Sequence, residues 1–303
     1  MPELPEVETV RQGLAGHLVG RTIVVARAHH PRVARRHRAG GADLCTRLAG
    51  RTCVSVERRG KYLWVLFAAE GEAPADERDV LVAHLGMSGQ FRVSGDLSGD
   101  LSDHPHLRFD AQLDDGRWLS FLDQRTFGGL ALDHLGPDAA GRRAVPSSLA
   151  HIGADPFEPS FEPAQVAAAI RRRHSEIKRV LLDQSVVSGI GNIYADEALW
   201  MARVHPARSA HRLPAPTIRS VIDAATDVMA QALEQGGTSF DALYVNVNGE
   251  SGYFERSLAV YGRQDEGCRR CGAPVRRLHF MNRSSFVCQR CQRPPRPGSN
   301  EMP

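Results

Sequence analysis

Lysine is nearly absent from this chain of 303 residues, which carries 36 arginines and only two lysines, Lys61 and Lys178. Long apolar runs are missing as well. The best of them, residues 62–69, has eight residues, whereas a membrane-spanning helix needs about 18 or more; no membrane is expected as a partner. Basic residues are missing from the extreme N-terminus, which reads MPELPE. A secretory leader needs bases there, so the expected compartment is the cytoplasm. Composition is otherwise ordinary, at 42% hydrophobic and 24% charged residues, and this excludes a largely disordered chain. The length suggests two domains, each able to bury a core without a disulfide scaffold.

The net charge of +3 is small, but its distribution is uneven. Residues 21–61 hold eleven Lys/Arg against Asp43 and Glu57, and residues 263–296 hold nine Arg against Asp265 and Glu266. Two basic blocks fit a polyanionic partner; they fit equally well two solvated faces of an arginine-rich protein. Arginine and lysine interchange on most solvated surfaces but not at reactive or tightly fitted sites. The two lysines therefore mark either places that need an ammonium or residues left over by compositional drift.

Six cysteines are present, and four follow the spacing Cys268-x2-Cys271-x16-Cys288-x2-Cys291. That spacing predicts a zinc site. Four thiolates complete a tetrahedron and leave no open position, so one structural ion per chain is expected, with no further small-molecule cofactor. Disulfides are disfavoured in a cytoplasmic chain. Cys45 and Cys53 lack the spacing and read as small core residues.

The segment after Pro5 reads as a helix, with Glu6 and Glu8 in the first turn, Val7, Val10, Leu14 and Leu18 as its buried stripe and Gly20 at its end. Strand patterns follow at 22–27, 52–57, 62–67 and 80–83, and a hairpin with an Asp-Gly turn at 107–113 and 118–122. Residues 1–135 thus read as a mainly β domain with a leading helix. Residues 136–162, rich in Gly, Pro and Ser, read as a linker. Helical periodicity then takes over for 163–237: helices at 163–173, at 175–184 capped by Ser175, at 193–201 capped by Asn192, and a longer one around 218–233. A loop occupies 238–257, the cysteine module 258–292, and a Pro-rich, disordered tail 293–303.

Removal of Met1 would expose Pro2 as a secondary amine. An α-amino group has a pKa of about 7.7–8.0, and the adjacent helix N-terminus disfavours its protonated form, whereas Glu3 and Glu6 favour it. Such an amine can attack a sugar anomeric carbon and form an iminium ion, with Glu3 as general acid for ring opening. Equally, Pro2 can be an ordinary helix-starting residue.

Five pieces in order carry a family resemblance: MPELPEVET at 1–9, Arg59-Gly60-Lys61-Tyr62, His84-Leu85-Gly86-Met87-Ser88-Gly89, Gly189-Ile190-Gly191-Asn192-Ile193-Tyr194-Ala195, and the four-cysteine module. The chain resembles the bacterial formamidopyrimidine-DNA glycosylases from residue 2 to about residue 292. The resemblance implies an α+β multidomain fold: an N-terminal β-sandwich with a leading helix, a helix–two-turn–helix domain, and a C-terminal zinc-finger β-hairpin. It implies removal of 8-oxoguanine and formamidopyrimidines from damaged double-stranded DNA, with the nucleotide flipped out, followed by strand cleavage by a monomer.

By the same resemblance Pro2 is the nucleophile, Glu3 its acid, Lys61 serves β-elimination and touches phosphate, and Arg283 serves δ-elimination and phosphate binding. His84, Asn192 and Tyr261 match phosphate contacts, and Lys178 a lysine near the lesion strand. His104, Arg173 and His174 lie at looser DNA-contact positions. Met87, Arg125 and Phe127 match residues that fill the hole left by the flipped base, and 238–257 matches the lesion-recognition loop. Where the family commonly has Asp-Pro-Arg-Arg-Phe-Gly, this chain has Asp123-Gln124-Arg125-Thr126-Phe127-Gly128, so Thr126 is expected to alter opposite-base preference or affinity. Two other readings are an endonuclease VIII-type sister acting on oxidised pyrimidines, against which Leu4 and Met87 speak, and a non-catalytic zinc-dependent DNA-binding protein.

Overall fold

The computed structural model describes residues 2–68, 79–95, 101, 103–237, 247 and 257–295. They fall into two units, Met1–His151 with Gly236–Tyr253, and Ile152–Gln235 with Phe254–Pro303. Most of the 238–257 loop and residues 296–303 of the tail lie outside the described residues.

The first unit opens with helix α1 (Leu4–Leu18), whose N-cap is Glu3. The Glu3 backbone N–H donates to Glu6 Oε2 at 2.8 Å, one half of a capping box. Because Glu3 takes the cap, Pro5 falls one residue beyond the first helical position. Val7, Val10, Leu14 and Leu18 are buried along one face.

After α1 come β1 (Ile23–Ala28), α2 (Gly40–Leu48), β2 (Cys53–Arg59), β3 (Tyr62–Phe67), β4 (Asp79–His84), β5 (Gly89–Ser94), β6 (Leu107–Leu113), β7 (Trp118–Asp123), β8 (Gly129–Pro137) and β9 (Ala144–Pro146). They form a four-stranded sheet in the order β1-β6-β7-β5 and a five-stranded sheet in the order β2-β3-β4-β8-β9. Every strand pair is antiparallel. Phe91, Phe109 and Phe121 from one sheet and Leu63, Val65 and Leu81 from the other share a single core with the α1 stripe. The unit is thus a β-sandwich with its leading helix packed into the same core.

Three elements depart from the sequence reading. Helix α2, which the sequence reading did not assign, begins at Gly40-Gly41, and fully buried Leu44 and Leu48 hold it in place. Strand β5 alternates but is short and begins at a glycine. The stretch 136–162, expected to be a linker, contains the end of β8, all of β9 and a 3-10 turn at Ser147–Leu149, and the boundary between units falls at its middle. Pro146 ends the edge strand β9, where a missing N–H costs no ladder bond.

Strands β2 and β3 are joined by the two-residue loop Gly60-Lys61, with Arg59 opposite Tyr62. Gly60 has φ +56, which a glycine adopts at no steric cost in the first loop position of a II′ hairpin. Two buried arginines brace this loop. Arg58 Nε donates to Glu8 Oε2 of α1 at 2.9 Å, and its Nη1 donates to the Gly60 carbonyl at 3.1 Å. Arg59, only 1% exposed, pairs with Asp138 at 3.0 Å. Asp138 Oδ1 also accepts from the Ala140 and Arg142 amides.

The second unit contains α3 (Pro163–Arg171), α4 (Ile177–Leu181), α5 (Asn192–Met201), α6 (Ala215–Glu234) and a hairpin of β10 (Arg276–Phe280) and β11 (Arg283–Val287). Two caps differ from expectation. Glu176, not Ser175, precedes α4, because 176 forms an isolated bridge with Ser209. Gly191, in extended backbone, caps α5, and Asn192 becomes its first helical residue. Among the described residues no helix is long and apolar enough to cross a membrane.

Removing one partner of a buried ion pair leaves an uncompensated charge. Asp138→Ala should therefore lower unfolding free energy by about 3–5 kcal/mol, read from urea or guanidinium midpoints, while Glu266→Ala, at an exposed pair, should change it by less than about 1 kcal/mol.

Candidate functional site

In the first unit, the end of the chain that carries Pro2 is fixed by the capping box. Pro2 and Glu3 are both buried. Lys61 is buried too, at the tip of the hairpin that Arg58 and Arg59 brace. Glu8 links the two features, since it lies on α1 and accepts from Arg58. Burial pushes the Glu8 carboxyl up, but hydrogen bonds and charge from Arg11 and Arg58 outweigh it and hold the pKa below the usual value.

His84 ends β4, and its ring lies 5.0 Å from that of Tyr62. Its Nδ1 accepts the Gly86 amide at 3.1 Å, so the neutral ring carries its proton on Nε2 and can donate there. Burial, with the charges of Arg36, Arg35 and Lys61, pushes its pKa down to about 4. His84 is thus a neutral donor set among cations, suited to an anionic oxygen.

Met87, Arg125 and Phe127 come together on two adjoining turns. Met87 and Phe127 are 43% and 44% exposed, unusual for such side chains, and Arg125 Nη1 lies 3.6 Å from Met87 Sδ. Beneath them the backbone is tightly packed. A Cβ on Gly86, whose φ is +66, would lie 2.5 Å from the Gly128 nitrogen, so only glycine fits. Buried Asp123 accepts from Ser88 Oγ at 2.6 Å and from the Gly128 amide at 2.7 Å, and Ser88 Oγ in turn accepts from the Arg125 amide. The exposed apolar groups therefore stand on a rigid base. His104 sits apart from this set in the described contacts; its Nδ1 accepts the His106 amide and its ring meets His106 edge-on.

The second unit gathers Lys178, Asn192 and Tyr261 around the hairpin. Asn192 Nδ2 donates to the Ser284 carbonyl at 3.0 Å and reaches the Tyr261 hydroxyl at 3.5 Å. Lys178, matched by resemblance to a lysine near the lesion strand, is fully buried. It is 0% exposed, its ammonium is 2.7 Å from Asp196 and 4.8 Å from the Phe280 ring centre, and it also donates to Ser284 O. A buried ammonium needs such a partner, and these contacts fasten the lysine to Asp196 and to the hairpin at Ser284. Asp196 completes the joint through Ser285 Oγ and the Phe286 amide. Its neighbour Glu197 accepts the amides of Ala259, Val260 and Tyr261 at 2.8–2.9 Å. These two carboxylates were not singled out from sequence.

Arg283 is exposed at the loop end of the hairpin and makes no ion pair among the described residues. Arg173 is exposed and pairs loosely with Asp183 at 3.6 Å, while His174 stacks on His211 at 4.4 Å. The sulfurs of Cys268, Cys271, Cys288 and Cys291 all lie within 4.8 Å of one another and could hold a metal ion. Tetrahedral sulfurs about 2.3 Å from zinc would be a little under 4 Å apart, so small inward shifts suffice. Trp200 Nε1 donates to Cys268 Sγ at 3.3 Å, and Arg270 stacks on that indole at 4.2 Å.

The model of the formamidopyrimidine-DNA glycosylase N-terminal domain matches residues 1–130, and that of the family's H2TH domain residues 152–242. A formamidopyrimidine-DNA glycosylase of Mycobacterium avium is 58% identical over 298 residues, covering 98% of this chain and all of the relative. This chain belongs to the formamidopyrimidine-DNA glycosylase family. A Nocardia farcinica relative of the same name is 57% identical over 297 residues, covering 98% of this chain and 99% of its own. Among solved structures, a Lactococcus lactis FPG mutant bound to Fapy-dG-containing DNA superposes with a TM-score of 0.80 at 30% identity, covering 97% of this chain and all of that one. The L. lactis enzyme bound to abasic-site DNA gives 0.78 at 29%, over 96% and 100%. In this glycosylase-family chain the four cysteines lie beyond both matched domains, so the metal site rests on their own geometry.

His84 yields a pH test. An unfolded histidine protonates near pH 6.5 and the folded one near 4, so between these values the unfolded state binds more protons and stability falls as pH falls. His84→Gln should flatten that part of the stability–pH curve, measured by urea midpoints between pH 4 and 7.

Proposed function

We propose that this chain is a base-excision-repair enzyme, a DNA glycosylase and abasic-site lyase that removes 8-oxoguanine and formamidopyrimidines from duplex DNA and then nicks the strand. The observation that carries the reading is the rigid display of Met87, Arg125 and Phe127. An apolar side chain can replace a base in the stack and an arginine can donate to the orphaned partner base. The substrate class is supported by the Fapy-dG and abasic-site DNA in the L. lactis complexes.

With the nucleotide flipped out, the Pro2 nitrogen lone pair attacks C1′. The bond from C1′ to the base breaks, the base leaves with a proton, and Glu3 protonates the ring oxygen as the sugar opens to an iminium ion. A base then takes a C2′ proton, the electrons form C2′=C3′ and the 3′ phosphate leaves. A second elimination releases the 5′ phosphate, and water returns Pro2 as the amine. Lys61 assists the first elimination and holds phosphate, as do Arg283 for the second elimination and His84 through Nε2–H. Asn192 and Tyr261 orient the hairpin beside a phosphate site. Cys268, Cys271, Cys288 and Cys291 would hold one zinc ion, which supplies folding free energy to the hairpin module and no reactive position. The working unit is a monomer in the cytoplasm.

A duplex with 8-oxoguanine opposite cytosine should give excised base and a gapped strand with phosphate at both ends. Glu3→Gln should slow excision by about 10²–10⁴-fold, and Pro2→Gly should abolish most nicking while retaining much of the binding. Excision of thymine glycol in preference to 8-oxoguanine would contradict the substrate reading.

Cys288→Ser should lose zinc and DNA binding together, whereas Arg283→Ala should keep zinc, measured by metal analysis, and lose affinity and nicking. Full glycosylase activity in a zinc-free Cys288→Ser protein would overturn the structural role of the metal.

A further inference from the structure

The wedge platform has a brace that neither the spacing of the sequence motifs nor the chemistry above uses. Arg35 follows a 3-10 turn at Pro31–Ala34 in the first unit. Its side chain pairs with no carboxylate among the described residues. Its Nη1 donates to the Thr126 carbonyl at 2.9 Å and its Nη2 to the Phe127 carbonyl. A guanidinium offers parallel donors in one plane, so it can hold two successive carbonyls at once, whereas an ammonium is a single point.

What it holds is strained. Thr126 has φ +55, a left-handed backbone that is a genuine outlier for a β-branched residue and persists only where its surroundings enforce it. Among the described residues the Thr126 hydroxyl bonds only the adjacent Arg125 carbonyl, at 2.7 Å. On one side, Asp123 pins the amide of Gly128. On the other, Ser88 pins the amide of Arg125. Between these two fixed amides the peptide carbonyls of Thr126 and Phe127 are held by Arg35. Their orientation sets the direction of the Arg125 and Phe127 side chains that flank them.

We propose that Arg35 is a positioning residue for base extrusion: it locks Thr126 in its left-handed conformation and so aims Arg125 and Phe127 into the vacated stack. The inference rests on the wedge role assigned to Met87, Arg125 and Phe127 and adds the residue that fixes their geometry. It also gives Thr126 a physical consequence. Lacking the long side chain common at this position in the family, this chain has its wedge turn held from outside.

The test compares two substrates with Arg35→Met and Arg35→Lys in the full chain. One is a duplex with 8-oxoguanine opposite cytosine; the other is a single strand with a preformed abasic site, which has no base to extrude and no partner to replace. Arg35→Met should slow single-turnover cleavage of the duplex roughly ten- to hundred-fold, the size of one charge-assisted hydrogen bond. It should slow cleavage of the single strand far less, by the small change that losing one charge near His84 brings. Arg35→Lys should rescue only part of the loss. A 2-aminopurine beside the lesion should brighten more slowly in Arg35→Met than in the parent.

Equal loss on both substrates, or no loss on the duplex, overturns the proposal. So does a weaker salt dependence of binding to undamaged duplex, which would make Arg35 a phosphate contact, since each such contact contributes a slope of about 0.9. Inactivity of the parent on both substrates would instead overturn the glycosylase reading and is thereby distinguishable.

Discussion

The first unit depends on the fate of two buried guanidiniums. Arg58 and Arg59 sit at the end of β2, where the sheet is covered, and neither can lose its proton. Each therefore needs a carboxylate brought to it: Glu8 from α1 for Arg58, and Asp138 from the turn after β8 for Arg59. Satisfying both charges fixes the Gly60-Lys61 loop relative to the helix that begins at Glu3. The geometry that presents Lys61 thus follows from the requirement that no buried charge stay unpaired. Hydrophobic burial makes the sandwich, and these ion pairs set where the Gly60-Lys61 loop lies.

The second unit solves the analogous problem with the signs reversed. Asp196 and Glu197, adjacent on α5, are buried carboxylates. Burial pushes the Glu197 carboxyl up, and three backbone amides pull it back. Those amides belong to residues 259–261, and the partners of Asp196 belong to Lys178 and to β11. One turn of helix therefore fastens both the approach to the cysteine module and its hairpin. Trp200 reaches the far end through Cys268, one of the four cysteines that could hold a metal ion. The module has a small core of its own, with Val260, Val275 and the cysteines packed against Trp200 and Phe286, and these polar anchors add to it.

Much of this was legible in the sequence, for physical reasons that differ by element. The stripe of α1, the 62–67 and 107–113 strands and the cysteine spacing are periodic signals that burial or ligation geometry demands. Helix α2 was not legible because its two glycines argue locally for a turn and only its buried leucines decide otherwise. Strand β9 was hidden by Pro146, which an edge strand tolerates. Lys178 resembles an exposed cation on an amphipathic helix until Asp196, distant in sequence, is seen to pair with it. Asn192 lost its expected capping role because Gly191 already supplies the extended residue, leaving the amide to Ser284. Arg35 could not have been found at all. Its partners are main-chain carbonyls, which carry no sequence signature.

In the proposed reaction the secondary amine of Pro2, next to the Glu3 cap of α1, is the group that bonds to DNA. The most direct measurement is borohydride reduction during turnover on 8-oxoguanine DNA, followed by protease digestion and mass spectrometry of the cross-linked peptide. The expected result is one nucleotide-bearing peptide, beginning at Pro2 and modified on its α-nitrogen. A cross-link on Lys61, or the absence of any covalent peptide while the lesion is still excised and the strand nicked, would contradict it.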